Sequence, residues 1–234
     1  GRNAEAEAAY REAIARAPGF ANAHGNLGNL LAGRGRLAEA ESELRKACTA
    51  APNDPQILRN LGLCLMRQLK ALEAEVVLRK AAELMPNDGD IHDNLAQLLR
   101  QKGEPVAAVK VYLGVKDAIA NNWRALGNQA LLLQDLSLYS ESESLFRRAL
   151  SLKPDYALAH ANLLFCLNYH PDRSAEEIFA EYQRFDVAHA RPHRPAEVSF
   201  ANDRSPDRKL RVGFLSPDFR EHAARHFLDP LLRH

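Results

Sequence analysis

Five asparagines, Asn26, Asn60, Asn94, Asn128 and Asn162, recur at one strict interval along the chain. Asparagine is a poor helix former, so a row of five in helical surroundings calls for a reason outside helix stability. Each carboxamide carries one acceptor and two donors, and a line of them can pair with successive peptide groups of an extended polypeptide. Such a surface grips backbone and is indifferent to side chains. The same groups could instead bond one another or neighbouring helix ends as a structural ladder. His24, His92 and His160 form a second series and alternate with Leu58 and Leu126 on the intervening periods. Histidines two periods apart cannot meet around one metal ion at about 2 Å, so packing is the expected role and no metal site is assigned. Cys48, Cys64 and Cys166 stand far apart without a CxxC spacing, which argues against disulfides and zinc and for a reducing, cytoplasmic setting. They read as small core residues. Trp123 reads as a packing or rim residue, and His189 and His193 carry no assigned chemistry.

The elements that would hold the row follow from the same interval. Pro18, Pro52 and Pro86 repeat it, and Pro154 lies two intervals further on, with Ala120 on the missing beat. Gly28, Gly62, Ala96 and Ala130 form a small series, as do Ala6, Ala40, Ala74, Ala108 and Ser142. Tyr10, Leu44, Leu78, Tyr112 and Phe146 form a large apolar one. A 34-residue period with these marks is that of the tetratricopeptide repeat, a helix, a turn and an antiparallel helix. Small residues let the two helices approach, large ones fill the groove toward the next unit, and each proline stops the second helix. One unit cannot bury its own apolar stripe, so the units stack into an all-α right-handed superhelix with a long concave face. The expected organisation is a half repeat over 1–20, units starting at 21, 55, 89, 123 and 157 with the last altered, and a linker over 191–209. The alteration follows Asn168-Tyr169-His170-Pro171-Asp172, after which Ser174 and Glu177 form a capping box opening a helix to about Ala190.

Residues 210–216 are a short β-prone run, 217–221 a loop and 222–234 a helical stretch. A strand, loop and helix in that order begin a parallel βαβ unit, and such a strand needs partners expected beyond His234. The chain therefore reads as a piece, opening inside a repeat and closing inside an α/β domain.

Leu210-Arg211-Val212-Gly213-Phe214-Leu215-Ser216-Pro217-Asp218-Phe219-Arg220-Glu221-His222 closely resembles the start of the catalytic region of the O-linked N-acetylglucosamine transferases, including their bacterial and SPINDLY-like relatives. Leu163 to Asp172 resembles the junction that bacterial members place after their last repeat, and the asparagine row resembles the family's peptide-guiding surface. The resemblance implies a metal-independent, inverting GT-B glycosyltransferase with Rossmann-like lobes, transferring N-acetylglucosamine from UDP-GlcNAc to Ser or Thr hydroxyls. It implies acceptor polypeptides bound in extended form, and His222 as the active-site histidine. Where the family has His-Pro, this chain has His222-Ala223. The donor-binding lobe is not in the chain, so these residues are expected to be inactive alone. GDP-fucose-dependent O-fucosylation and a non-catalytic interaction scaffold are the alternatives.

Composition adds exclusions. Across 234 residues, 46% apolar and 26% charged content is that of a globular protein. With 31 basic against 30 acidic residues the net charge is +1, so no overall field draws the chain to nucleic acid or to an anionic membrane. No apolar run reaches the roughly 20 residues of a membrane helix. Pairing of two copies through the repeats stays open.

Overall fold

The computed structural model describes residues 2–194, so the strand, loop and helix expected at 210–234, His222 included, lie outside the described residues. Among the described residues there are eleven α-helices and no strand. α1 (Arg2–Arg16) leads; the rest form antiparallel pairs. These are α2 (Ala21–Gly33) with α3 (Leu37–Ala50), α4 (Pro55–Arg67) with α5 (Ala71–Leu84), and α6 (Gly89–Gln101) with α7 (Pro105–Gly114). α8 (Trp123–Asp135) pairs with α9 (Tyr139–Leu152), and α10 (Ala157–Asn168) with α11 (Ala175–Phe185). A π-helical turn, Asp186–Ala190, and a 3-10 turn, Arg191–His193, follow.

The first helices of the pairs begin at 21, 55, 89, 123 and 157, and in the three middle pairs the chain signals the start with a capping side chain. Asp54 accepts from the amides of Gln56 and Ile57, Asp88 from those of Asp90 and Ile91, and Asn122 from that of Ala125. These caps satisfy amides that lack an intrahelical partner. Inside each pair small meets large. A Cβ on Gly28 would lie 2.6 Å from Leu44 Cγ, and one on Gly62 2.6 Å from Leu78 Cγ. Ala40, Ala74, Ala108 and Ser142 are fully buried, and Ser142 Oγ donates to the Ala130 carbonyl at 2.8 Å.

The turn between paired helices needs a left-handed residue, φ +79° at Gly35, +61° at Leu69, +78° at Gly103 and +60° at Ser137. The next equivalent position is Pro171, whose ring locks φ at a negative value and cannot take that conformation. The last turn is therefore rerouted, and α11, starting at Ala175, begins two positions later in its unit than the other second helices do in theirs.

A charged ladder ties successive units. Glu7, Glu41, Glu75 and Glu143 share one register of the repeat, and three of them are buried at 5–8% exposure. Arg36 Nη1 donates to Glu7 at 2.7 Å, Lys70 Nζ to Glu41 at 2.8 Å, Lys102 Nζ to Glu75 at 2.5 Å and Arg173 Nε to Glu143 at 2.9 Å. In each case the cation comes from the turn of the next unit. The missing rung is Val109, and the turn it would meet carries Leu136 and Leu138. That same unit has the short second helix, ten residues ending at Gly114 where the other regular ones have fourteen. Glycine weakens a helix interior. Beyond it Val115 and Ile119 turn inward and are buried, and a Cβ on Gly89 would lie 2.9 Å from Ile119 Cγ2.

Candidate polypeptide-binding surface

The five asparagines all sit on first helices, at the sixth residue of α2, α4, α6, α8 and α10. Among the described residues none bonds another, so the row is not a self-bonded ladder. Their environments differ. Asn26 is exposed, and Asn60, Asn128 and Asn162 are part-exposed. Asn94 is 5% exposed, and its buried Nδ2 has no partner among the described residues. Asn128 Nδ2 donates to Asp93 Oδ1 at 3.1 Å, so this amide is engaged within the protein.

Around Asn60 the first helices form a groove of about 450 Å³, lined by Asn29, Leu63, Met66 and Arg67 and closed at the third unit by Gln101. Its mixture of amide and aliphatic groups suits a peptide backbone with small or flexible side chains. Farther along, Phe165 and Tyr169 are exposed on and after α10 with ring centroids 4.8 Å apart.

Asp93 anchors the row from beneath. It is fully buried and accepts from the Tyr112 hydroxyl at 2.8 Å and from Gln97 Nε2 at 3.0 Å, besides Asn128. Burial pushes its carboxyl up, against the Tyr112 and Asn128 hydrogen bonds that pull it down. The same burial, with the facing carboxylate, holds the Tyr112 hydroxyl far above its ordinary range.

The histidines do more than fill space. His24 Nδ1 lies 2.6 Å from Glu43 Oε2 and its Nε2 2.9 Å from the Pro18 carbonyl. His160 Nε2 lies 2.9 Å from Glu181 Oε1, and its Nδ1 3.0 Å from His189 Nε2. His189, expected to be idle, thus has a partner, although it borders the linker. Burial lowers the basicity of His160, against the pull of Glu181. His92 stands apart: its Nδ1 donates to the Asp88 carbonyl at 2.8 Å, and among the described residues no carboxylate meets the ring.

Cys64 and Cys166 are buried and lie 3.4 and 3.5 Å from the carbonyls of Leu37 and Tyr139, and burial pushes both thiols up, which suits core packing. Trp123 meets Tyr156 edge-on at 4.6 Å with Lys153 Nζ 5.4 Å from its centroid. Among the described residues no group of three or more His, Cys, Asp and Glu could hold a metal ion, and no helix is long and apolar enough to cross a membrane. The glutamate ladder escaped the sequence reading, although its signal, glutamate at 7, 41, 75 and 143, keeps the asparagines' interval with one beat missing at Val109.

Stacked helix pairs of this period are the tetratricopeptide-repeat fold. Family profiles described as tetratricopeptide repeat match residues 1–55 and 124–156. Among solved structures the chain resembles Pseudomonas aeruginosa pilF, with a TM-score of 0.69 and 20% identity over 81% of this chain and 85% of that one. It also resembles YrrB, described as a repeat protein with an unusual peptide-binding site, with a TM-score of 0.58 and 20% identity over 77% and 92%. At such identities the likeness is one of fold. Two curated relatives are described as probable UDP-N-acetylglucosamine–peptide N-acetylglucosaminyltransferases of the SPINDLY type. The Arabidopsis thaliana protein is 29% identical over 83 residues, and that of Oryza sativa subsp. japonica 26% over 89. These matches cover 36% and 38% of this chain, and only 9% and 10% of the relatives' own length.

Proposed function

We propose that residues 2–194 hold extended acceptor polypeptides for a protein O-glycosyltransferase, whose catalytic region begins with the motif ending at His222. The observation that carries the reading is the asparagine row: five carboxamides on successive first helices, of which Asn26, Asn60 and Asn162 have no side-chain partner among the described residues. The groove beside Asn60 gives a peptide a place to lie. The partial likeness to the SPINDLY-type transferases supports the choice of chemistry. In this reading UDP-GlcNAc is the donor, a Ser or Thr hydroxyl the acceptor, and His222 serves at the active site of the whole enzyme, without a metal. GDP-fucose would serve the same architecture, and a scaffold would use the groove alone. The setting is the cytoplasm, and a homodimer through the repeats is compatible with the fold.

Replacing Asn60, Asn94 and Asn128 together by Ala and titrating an unstructured Ser/Thr-rich peptide by calorimetry tests the binding role. Each lost hydrogen bond is worth about 1 kcal/mol, so the triple variant loses roughly tenfold or more in affinity if the row binds backbone. Unchanged affinity removes the reading. Because Asn128 is already bonded to Asp93 and Asn94 is buried, most of the loss comes from Asn60, whose carboxamide offers both a donor and an acceptor.

A further inference from the structure

The first helix of each unit places residue 24, 58, 92, 126 or 160 opposite a residue of the second helix, and the pairs obey a rule. His24 faces Glu43. Leu58 has Val77 in the glutamate's register, the two sharing one apolar cluster, and in the fourth unit Leu126 has the leucine Leu145 at the equivalent position. His160 faces Glu181. Histidine goes with glutamate and leucine with an aliphatic residue. The third unit breaks the rule, with His92 and, in the glutamate's register, Val111.

The place where that carboxylate would sit is part of a cavity of about 420 Å³ between α5, α6 and α7, opened by the early end of α7 at Gly114. Its floor is apolar, with Leu95, Val111 and Val115. Its polar groups are Arg79, Lys110 and His92, and among the described residues no acidic side chain lines it. Lys110 makes no ion pair among the described residues. Arg79 holds Glu75 through Nε and Nη2 but keeps further N–H donors. Glu75 is itself bonded by Lys102.

We propose that this cavity is a binding site for the carboxyl terminus of a polypeptide whose last residue is apolar. The carboxylate takes the position that Glu43 and Glu181 hold in the first and fifth units, against Lys110 and Arg79. The terminal side chain fills the apolar volume beside Val111 and Val115. A terminal residue suits the site because its carboxylate and side chain leave the same carbon, matching cations and apolar floor that line one cavity. His92 already spends its Nδ1–H on the Asp88 carbonyl.

The probe is a fluorescein-labelled Gly-Ser-Gly-Ser-Ala-Leu peptide with a free carboxyl terminus, titrated with the 234-residue protein by anisotropy. Saturable binding below about 1 mM is expected, weakened about tenfold or more when the terminus is an amide, since a charge-assisted hydrogen bond is then lost. Val111→Glu supplies the protein's own carboxylate to His92 and abolishes binding. Lys110→Glu, a change at an exposed residue that leaves the fold intact, weakens binding at least about fivefold through like-charge repulsion. The difference between the free-carboxyl and the amidated peptide persists in the Asn60/Asn94/Asn128 triple alanine variant, separating the cavity from the asparagine row. Equal binding of the amide, unchanged binding by Lys110→Glu, or no binding at about 1 mM overturns the proposal.

Discussion

The first two units and the third are built to one plan and differ in how they close. In the units of α2 to α5, each second helix runs fourteen residues, each ladder glutamate finds a cation in the next turn, and each glycine of the small series receives a leucine. In the third unit α7 stops after ten residues, the rung is Val109 facing a turn of Leu136 and Leu138, and His92 has no carboxylate among the described residues. At the ladder rung the losses are matched. Where the anion is gone the cation is gone too, so neither is left uncompensated in a half-buried site. Where the helix ends early, Val115 and Ile119 fold in and keep the core apolar while a cavity opens beside them. In the ladder both sides of the contact change together, whereas at His92 only the carboxylate side does, and the cavity lies there.

The sharpest way to break the comparison is to restore half of the missing rung. Val109→Glu puts a carboxylate beside leucines, and an unpaired half-buried charge is expected to cost about 2–3 kcal/mol in denaturant unfolding. Adding Leu136→Lys supplies the cation and should recover at least half of that loss; a double variant no better than the single one removes the ladder's pairing logic.

Acid separates the two regions with opposite sign. Glu41 is held down to about 2, chiefly by the hydrogen bond from Lys70, below its ordinary 4.5. Its folded value is depressed, so its contribution is full above about 4.5 and is lost as pH falls toward 2. Glu7 and Glu75 are lowered as well, through Arg36 and Lys102. Asp93 in the third unit is raised by burial, so its contribution is greatest in acid and declines as pH rises through its folded value. Thermal melts across the acid range should therefore show an acid loss that Glu41→Gln flattens and Asp93→Asn steepens; parallel curves for all three proteins would contradict this.

The smallest effect lies in the turns. Leu69 and Ser137 hold positive φ, +61° and +60°, where their counterparts Gly35 and Gly103 are free to do so. Leu69→Gly and Ser137→Gly should each gain about 0.5–1 kcal/mol, and Gly35→Ala should lose about as much, all read from denaturation midpoints.

Much of this was legible before any coordinates. The unit starts at 21, 55, 89, 123 and 157 follow from the period, the caps Asp54, Asp88 and Asn122 agree with three of them, and the paired small and large series mark the interior. The asparagines were visible as a row, but a period carries no information on burial, so it could not tell that Asn94 sinks or that Asn128 is held by Asp93. Asp93 has no acidic counterpart in the other units, and a single residue leaves no periodic trace. The cavity was illegible for a related reason. It arises from what Val111 and Gly114 fail to supply, and only the rule set by His24 with Glu43 gives that omission meaning.

Pro171 acts on this numbering as a frameshift acts on a message. Up to it, stepping forward by one period from any residue names its structural counterpart. Past it, the same step is wrong by two: counted on from Glu143, the next rung would be Glu177, which is occupied in capping Ser174. The histidine pairs carry the corrected frame, since His24 and Glu43 are 19 residues apart and His160 and Glu181 are 21. Any alignment of the units should be re-phased at that proline before residues of α11 are compared with those of the helices before it.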